Sequence, residues 1–362
     1  MTITINGTTG INAPNLTIDS GGTVSTTALT TSTINGSAYS PYTGFKNRII
    51  NPKMAVDQRN VGNSQTITAA AALAYTVDRW YAYCTGANVT GQRIAGAYTS
   101  SQYQYQFTGA ASVTAIGFGQ RIETANSYDL ANTTATLSCY ISNSLLTTVT
   151  WTASYANTTD TFGTLASPTV TQIATGTFTV SSTRTQYTAS ISIPAAAITG
   201  IQIVFTVGAQ TSGTWIIDTV QLEAGSTAST FEYRSIGQET LLCQRYYQKS
   251  YTQTVALGTS TRNGAIQLCT YSNSATGQNN PPGFRFAHPM RIAATVTIYD
   301  PDASNTTATA RYDAQGLAAT AGAATVGSAG DSGVGQVSVA TTGRTTGSPL
   351  GLMYHFTASA EL

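Results

Sequence analysis

Charge is what this chain has least of. Asp, Glu, Lys and Arg make up 9% of its 362 residues, against about 25% in an ordinary soluble protein. The little there is balances, 16 Lys+Arg against 15 Asp+Glu, so no electrostatic footprint for nucleic acid or an anionic membrane is present. Lysine is limited to Lys46, Lys53 and Lys249, and histidine to His288 and His355. The two histidines lie far apart and neither has a metal-ligand or triad spacing, which leaves little for metal or nucleophilic chemistry. His288, ahead of Pro289, reads as a turn residue; His355, between Tyr354 and Phe356, reads as the polar face of a strand. No apolar run approaches the roughly 18 residues that span a bilayer, so membrane insertion is not expected. The opening MTITINGTTGIN has neither a basic nor an apolar stretch, so no secretory signal is expected. Cys84, Cys139, Cys243 and Cys269 form no CxxC pair and read as buried free thiols.

What is present is alternation. Apolar residues make up 41% of the chain, enough for a core, and they recur with period two among Thr, Ser, Gly, Ala and Asn. Residues 1–44 have little to fill a core; Thr4-Ile5-Asn6-Gly7 and Thr33-Ile34-Asn35-Gly36 each place an Asn-Gly turn after a β-branched residue. This segment is either an attachment arm ordered by other subunits or a disordered leader. From residue 45 to 234 about nine short strands follow one another with no helical period between them, as in a two-sheet sandwich. Gln102-Tyr103-Gln104-Tyr105-Gln106-Phe107 alternates without a break, three aromatics on one face and three glutamines on the other. Ser235 and Gln238 have the spacing of a capping box, which would open a short helix running through Lys249 with Leu241, Leu242, Arg245 and Tyr246 on one side. Residues 235–362 then continue as a smaller β-domain, with strands expected at 265–271, 284–286, 295–299, 334–339 and 351–360. The Gly/Ala-rich stretch 314–335 reads as a long loop or thin ribbon. The fold expected is all-β: a jelly-roll sandwich, a short helix, a second β-domain, and an extended N-terminal arm.

Several segments carry a resemblance. Asn47-Arg48-Ile49-Ile50-Asn51, Asp78-Arg79-Trp80, Gln120-Arg121-Ile122-Glu123, Asp218 through Gly225 and Phe231-Glu232-Tyr233-Arg234 resemble the carbohydrate-binding-module-like jelly-roll of phage tail-fibre and related virion proteins. Leu241 through Tyr247 and His355 through Leu362 resemble the C-terminal region of the same proteins. The resemblance implies a non-enzymatic virion protein, made in the host cytoplasm and mounted on the tail or another external appendage. It implies contact with host surface glycans, and with other virion proteins at the arm. It implies no cofactor beyond an optional structural Ca²⁺, with Asp218 on the last strand as a ligand. Exposed strand edges and low charge suit a homo-oligomer, a trimer by preference. A purely architectural capsid, collar or baseplate role and a polysaccharide depolymerase are the alternatives. For the last, Glu123, Asp129, Asp218, Glu223 and Glu232 supply carboxylates, but nothing in the sequence pairs them, and no catalytic residue is assigned. Tyr103, Tyr105, Trp151 and Tyr187 are the candidate sugar-stacking residues; the competing reading of each is core.

Overall fold

Strict alternation puts one set of side chains on each side of a strand, and burial of the aromatic set decides how the strands stack. The computed structural model describes residues 33–34, 37–38, 45–70, 72–273, 277–280, 282–313 and 320–362. Most of the expected arm therefore lies outside the described residues. Within it Thr33–Ile34 and Ser37–Ala38 pair antiparallel, flanking the Asn-Gly position expected to turn.

From residue 45 onward the chain builds a jelly-roll of two six-stranded antiparallel sheets. The front sheet runs, edge to edge, Val170–Thr179, Thr148–Ala156, Ile201–Val207, Ala115–Ile122, Trp80–Thr85 and Ala74–Tyr75. The back sheet runs Thr185–Ser192, Thr134–Asn143, Thr214–Ala224, Ser101–Thr108, Val89–Tyr98 and Gln65–Ile67. An aromatic column holds the two together. Trp80 stacks on Phe118 with centroids 4.6 Å apart, and Phe118 on Tyr105 at 4.9 Å. Phe107 then stacks on Trp215 at 5.0 Å. Offset ring pairs of this kind add to the burial of their large surfaces. Val89–Tyr98 escapes a reading by alternation because Gly91, Arg93 and Gly96 interrupt it. Gly91 is required there, since a Cβ would overlap the Tyr105 hydroxyl.

The short helix begins where expected. The Ser235 side chain accepts from the Gln238 backbone N–H, which satisfies one orphan donor of the first turn. It ends at Gln244, earlier than Lys249, because Tyr247–Lys249 leave it to pair with Ser359–Thr357. Leu241 is exposed, and Cys243 and Tyr246 supply the buried contacts instead.

The remainder forms a nine-stranded sheet organised around Pro349–Ser359. That strand has neighbours on both sides: Ile266–Tyr271 and Tyr247–Lys249, and Thr309–Asp313 and Thr295–Tyr299. The stretch expected as a loop contributes the strand Thr320–Ala329, paired with Thr309–Asp313 and Gly333–Thr341. Its small residues serve packing: a Cβ on Gly322 would meet the Tyr312 ring at 2.9 Å. Residues 314–319 of that stretch are outside the described residues. His355 is another correction. It is fully buried, stacked on Tyr251 at 3.7 Å, with Nδ1 2.9 Å from Ser250 Oγ and Nε2 2.9 Å from the Thr261 carbonyl oxygen. The carbonyl can only accept, so Nε2 carries the proton and Nδ1 accepts from the serine. Cys84, Cys139 and Cys243 are buried as expected, whereas Cys269 is exposed.

The nine-stranded sheet and the sandwich meet in a seam of desolvated ion pairs. Arg79, 1% exposed, pairs with Glu361, lays its guanidinium 3.5 Å from the Tyr246 ring centroid and donates to the Arg121 carbonyl. Arg59 reaches the same Glu361 at 3.1 Å and lies 3.7 Å from the Tyr247 ring centroid. Beyond Glu361, the Leu362 carbonyl accepts from Tyr75 Oη at 2.7 Å and Arg121 Nη1 at 2.8 Å. Ile50, Val56, Cys243 and Tyr246 form a small apolar cluster beside it. Burial works against the Arg79 charge, but the Glu361 carboxylate together with Tyr246, Tyr75 and Cys243 outweighs it, so its pKa is raised.

Two outcomes are expected. Arg79→Met leaves Glu361 desolvated with only one cation and should cost about 3–5 kcal/mol, read as a lower urea midpoint at unchanged slope. A loss below about 1 kcal/mol would mean the pair behaves as an exposed one. Burial holds the His355 pKa below its ordinary value, against the smaller opposite pull of the Thr261 carbonyl. Its contribution is therefore complete above about pH 6.5 and is lost as pH falls from there toward the lower folded-state value, because the unfolded chain takes up the proton more readily. In thermal melts from about pH 7.5 to about pH 5, His355→Gln should lose less stability than the unaltered protein; parallel curves would exclude the titration.

Candidate functional site

Of the four side chains expected to stack on sugars, Tyr105 and Trp151 are enclosed in the core, and Tyr103 and Tyr187 are only partly exposed. Tyr105 is 1% and Trp151 7% exposed, both inside the core between the sheets. Tyr103 and Tyr187 are partly buried against the same core, Tyr103 beneath the Arg93 guanidinium at 4.3 Å and Tyr187 stacked on Phe178 at 5.2 Å. The reason is parity: Tyr103 and Tyr105 share their strand face with Phe107, which the column above commits to the interior. The glutamine face is not all solvated either. Gln104 is buried and donates to Asp218 at 2.6 Å.

Asp218 is likewise committed. Arg184 grips it through Nε at 2.9 Å and Nη2 at 2.5 Å, and the Thr219 hydroxyl donates to it at 2.6 Å. A Ca²⁺ ion could take those oxygens only by displacing a guanidinium that is itself sandwiched over Tyr140 at 3.8 Å and Tyr98 at 4.5 Å. Among the described residues no group of three or more His, Cys, Asp or Glu side chains is placed to hold a metal. The other carboxylates are also engaged: Glu123 by Arg245 at 2.8 Å, Asp129 by Arg48, Glu223 by Ser229, and Glu232 by the backbone N–H groups of Lys46 and Asn47. These last contacts bring together segments that lie far apart in sequence, since Asn47 also donates to the Val220 carbonyl and accepts from Leu222 N–H.

The outward face of the front sheet is different in kind. Its cross-strand rows read Tyr83, Gly117, Thr206, Thr150, Thr177 and Tyr81, Gly119, Val204, Thr152, Thr175. The Tyr83 ring fills the space a side chain on Gly117 would take, so that an added Cβ would overlap it, and Tyr81 does the same over Gly119. An aromatic ring laid over a cross-strand glycine is a recurrent way to pack an otherwise bare patch of sheet. Tyr81 is buried and Tyr83 remains partly exposed. Arg121 fixes the surroundings: Nε donates to Gln202 at 3.0 Å and Nη2 to the Gly163 carbonyl at 2.9 Å, pinning the 157–169 loop across the sheet. The result is an open groove of about 190 Å³ with Tyr83, Leu73, Leu165, Pro168, Gln202 and Val204 on its walls. Alternation finds Tyr103 and misses Tyr83. The signal that could have found it is the pair Tyr-Ala-Tyr at 81–83 and Gly-Phe-Gly at 117–119, which match only when the two strands are set side by side.

No protein-family model matches the chain, and no curated protein matches it. Among solved structures it is similar to the enzymatically active domain of bacteriophage CBA120 tailspike protein 4, at 16% identity and TM-score 0.30, covering 49% of this chain and 21% of that one. It is also similar to TmCBM61 in complex with β-1,4-galactotriose, at 10% identity and TM-score 0.32, covering 50% of this chain and 99% of the module. A CBM4 structure gives 17% identity and TM-score 0.31 over 48% of this chain and 98% of that one. The chain thus spans about a fifth of the tailspike domain's length.

Proposed function

We propose that this protein is a non-enzymatic saccharide-binding protein that uses the Tyr83 groove, and that it serves as a subunit of a phage tail fibre, contacting glycans on the host surface. The observation that carries the saccharide reading is the partly exposed Tyr83 ring over Gly117, in a groove pinned by Arg121 whose largely apolar walls also carry Thr164 and Gln202. A sugar ring offers an apolar C–H face and a rim of hydroxyls. A tyrosine face, with the Thr164 hydroxyl and the Gln202 amide beside it, matches both, and the aromatic patch needs no charge to do so. The Arg121 guanidinium is spent on Gln202, Gly163 and Leu362, which leaves the groove suited to a neutral saccharide. The tail-fibre reading rests on the sequence resemblance, and low charge with hydroxyl-rich faces fits a protein whose weak sites act together through repetition. A trimer is the assembly we favour, attached to other virion proteins through residues 1–44.

Two measurements test these readings separately. On an array of neutral host glycans, Tyr83→Ala should weaken binding about tenfold, the equivalent of roughly 1.4 kcal/mol of lost stacking, while the urea midpoint changes little. Binding that is unaltered by the substitution would move the site elsewhere. Light scattering of the full chain should give three times the mass of one chain; a monomer would sink the fibre and favour an architectural protein assembled only by its neighbours in the particle.

A further inference from the structure

A second cavity lies where the segment Asn51–Ala55, the start of the strand Ser101–Thr108 and the stretch 231–239 converge, with a volume of about 480 Å³. That is within the range of small-molecule sites, roughly 300–1,000 Å³. Its apolar walls are Tyr103, Phe231 and Ile236. Its charged groups are mostly spent on the protein itself. Glu239, buried, pairs with Arg234 at 3.1 Å and accepts from Asn51 N–H, while Arg234 also donates to the Ile49 carbonyl. Glu232 has its two oxygens on the backbone N–H groups of Lys46 and Asn47, at 3.0 and 2.8 Å. Lys53 is the exception. Its ammonium stands 4.7 Å from the Tyr233 ring centroid, and among the described residues no carboxylate lies within ion-pairing distance of it. Gln102, exposed on the rim, adds an amide with no partner among the described residues.

We propose that this cavity binds the carboxylate-bearing ring of an acidic sugar. The carboxylates on its walls already have their donors, and the cation with none is Lys53. A ligand that brings an acceptor with full negative charge completes that one deficit, and its ring lies against Tyr103 and Phe231. A compact ammonium held over an aromatic face keeps its charge outward, available to an oxygen. The site is separate from the Tyr83 groove, and the inference stands or falls without it.

The test compares two probes that differ only at C6. Methyl β-glucuronide and methyl β-glucoside are titrated into the full chain and followed by nuclear magnetic resonance, up to about 50 mM ligand. The glucuronide should bind about tenfold more tightly, and Lys53→Gln should bring it to the glucoside's level. Phe231→Ala should weaken both sugars alike, because it removes the ring and keeps the charge. Equal affinity for the two sugars, no binding of the glucuronide, or a preference that survives Lys53→Gln in a protein with an unaltered thermal melt would each overturn the proposal.

Discussion

Glu361 stands between two arginines, Arg59 and Arg79, in a place largely shielded from water, and the joining of the two β-structures depends on it. A buried cation without a partner costs far more than a surface pair ever returns. The guanidinium of Arg79 is therefore stable only while Glu361 is present, and Glu361 stays in place only while the strand Pro349–Ser359 before it is in register. Arg79 itself sits at φ 73°, a backbone conformation that costs a non-glycine residue of order 1–3 kcal/mol and persists only when the surroundings over-determine it. Here they do, through a carboxylate, a tyrosine face and a carbonyl.

From that seam the order spreads outward by way of Arg121. One of its nitrogens holds the Leu362 carbonyl and the others hold Gln202 and the 157–169 loop. The wall of the Tyr83 groove and the joint with the nine-stranded sheet therefore share a side chain. A disturbance in the joint is transmitted to the groove through one rigid, planar, fully charged group, with no need for a chain of side-chain rearrangements.

Much of this architecture was legible in the alternation of the strands. Thr295–Tyr299 was readable to the residue, and so was the start of the helix, because a serine three residues ahead of a glutamine has the spacing of a cap. The strands that escaped reading are those with little side chain, such as Thr320–Ala329, where glycine and alanine pack beneath Tyr312 and show no apolar period. The sites were less legible. Period two reports that Tyr103 and Tyr105 share a face but does not say which face is inside. Phe107 and Trp215 decide that, and their stacking joins strands far apart in sequence. Asp218 could be read as hydrogen-bonded within the sandwich, but its partner could not be named, because Arg184 lies in another part of the chain. Tyr83 and Lys53 acquire meaning only from what the fold leaves beside them, a glycine in one case and no carboxylate in the other.

The place of Pro349–Ser359 has a consequence for synthesis. It is the last strand described along the chain, yet four others pair with it, and Glu361 and Leu362 beyond it close the seam. During translation the strands at 247–249, 266–271 and 295–299 emerge before the strand they pair with. The earliest of them must wait, unpaired, while the whole of the intervening chain is made. The sandwich, whose strands all precede residue 225, can assemble on the ribosome meanwhile. The part of the second sheet that pairs with Pro349–Ser359 cannot, and its contacts to 247–249, 266–271 and 295–299 are of the long-range kind that form slowly. Chaperone dependence and premature edge-to-edge association should therefore concentrate in that half of the molecule.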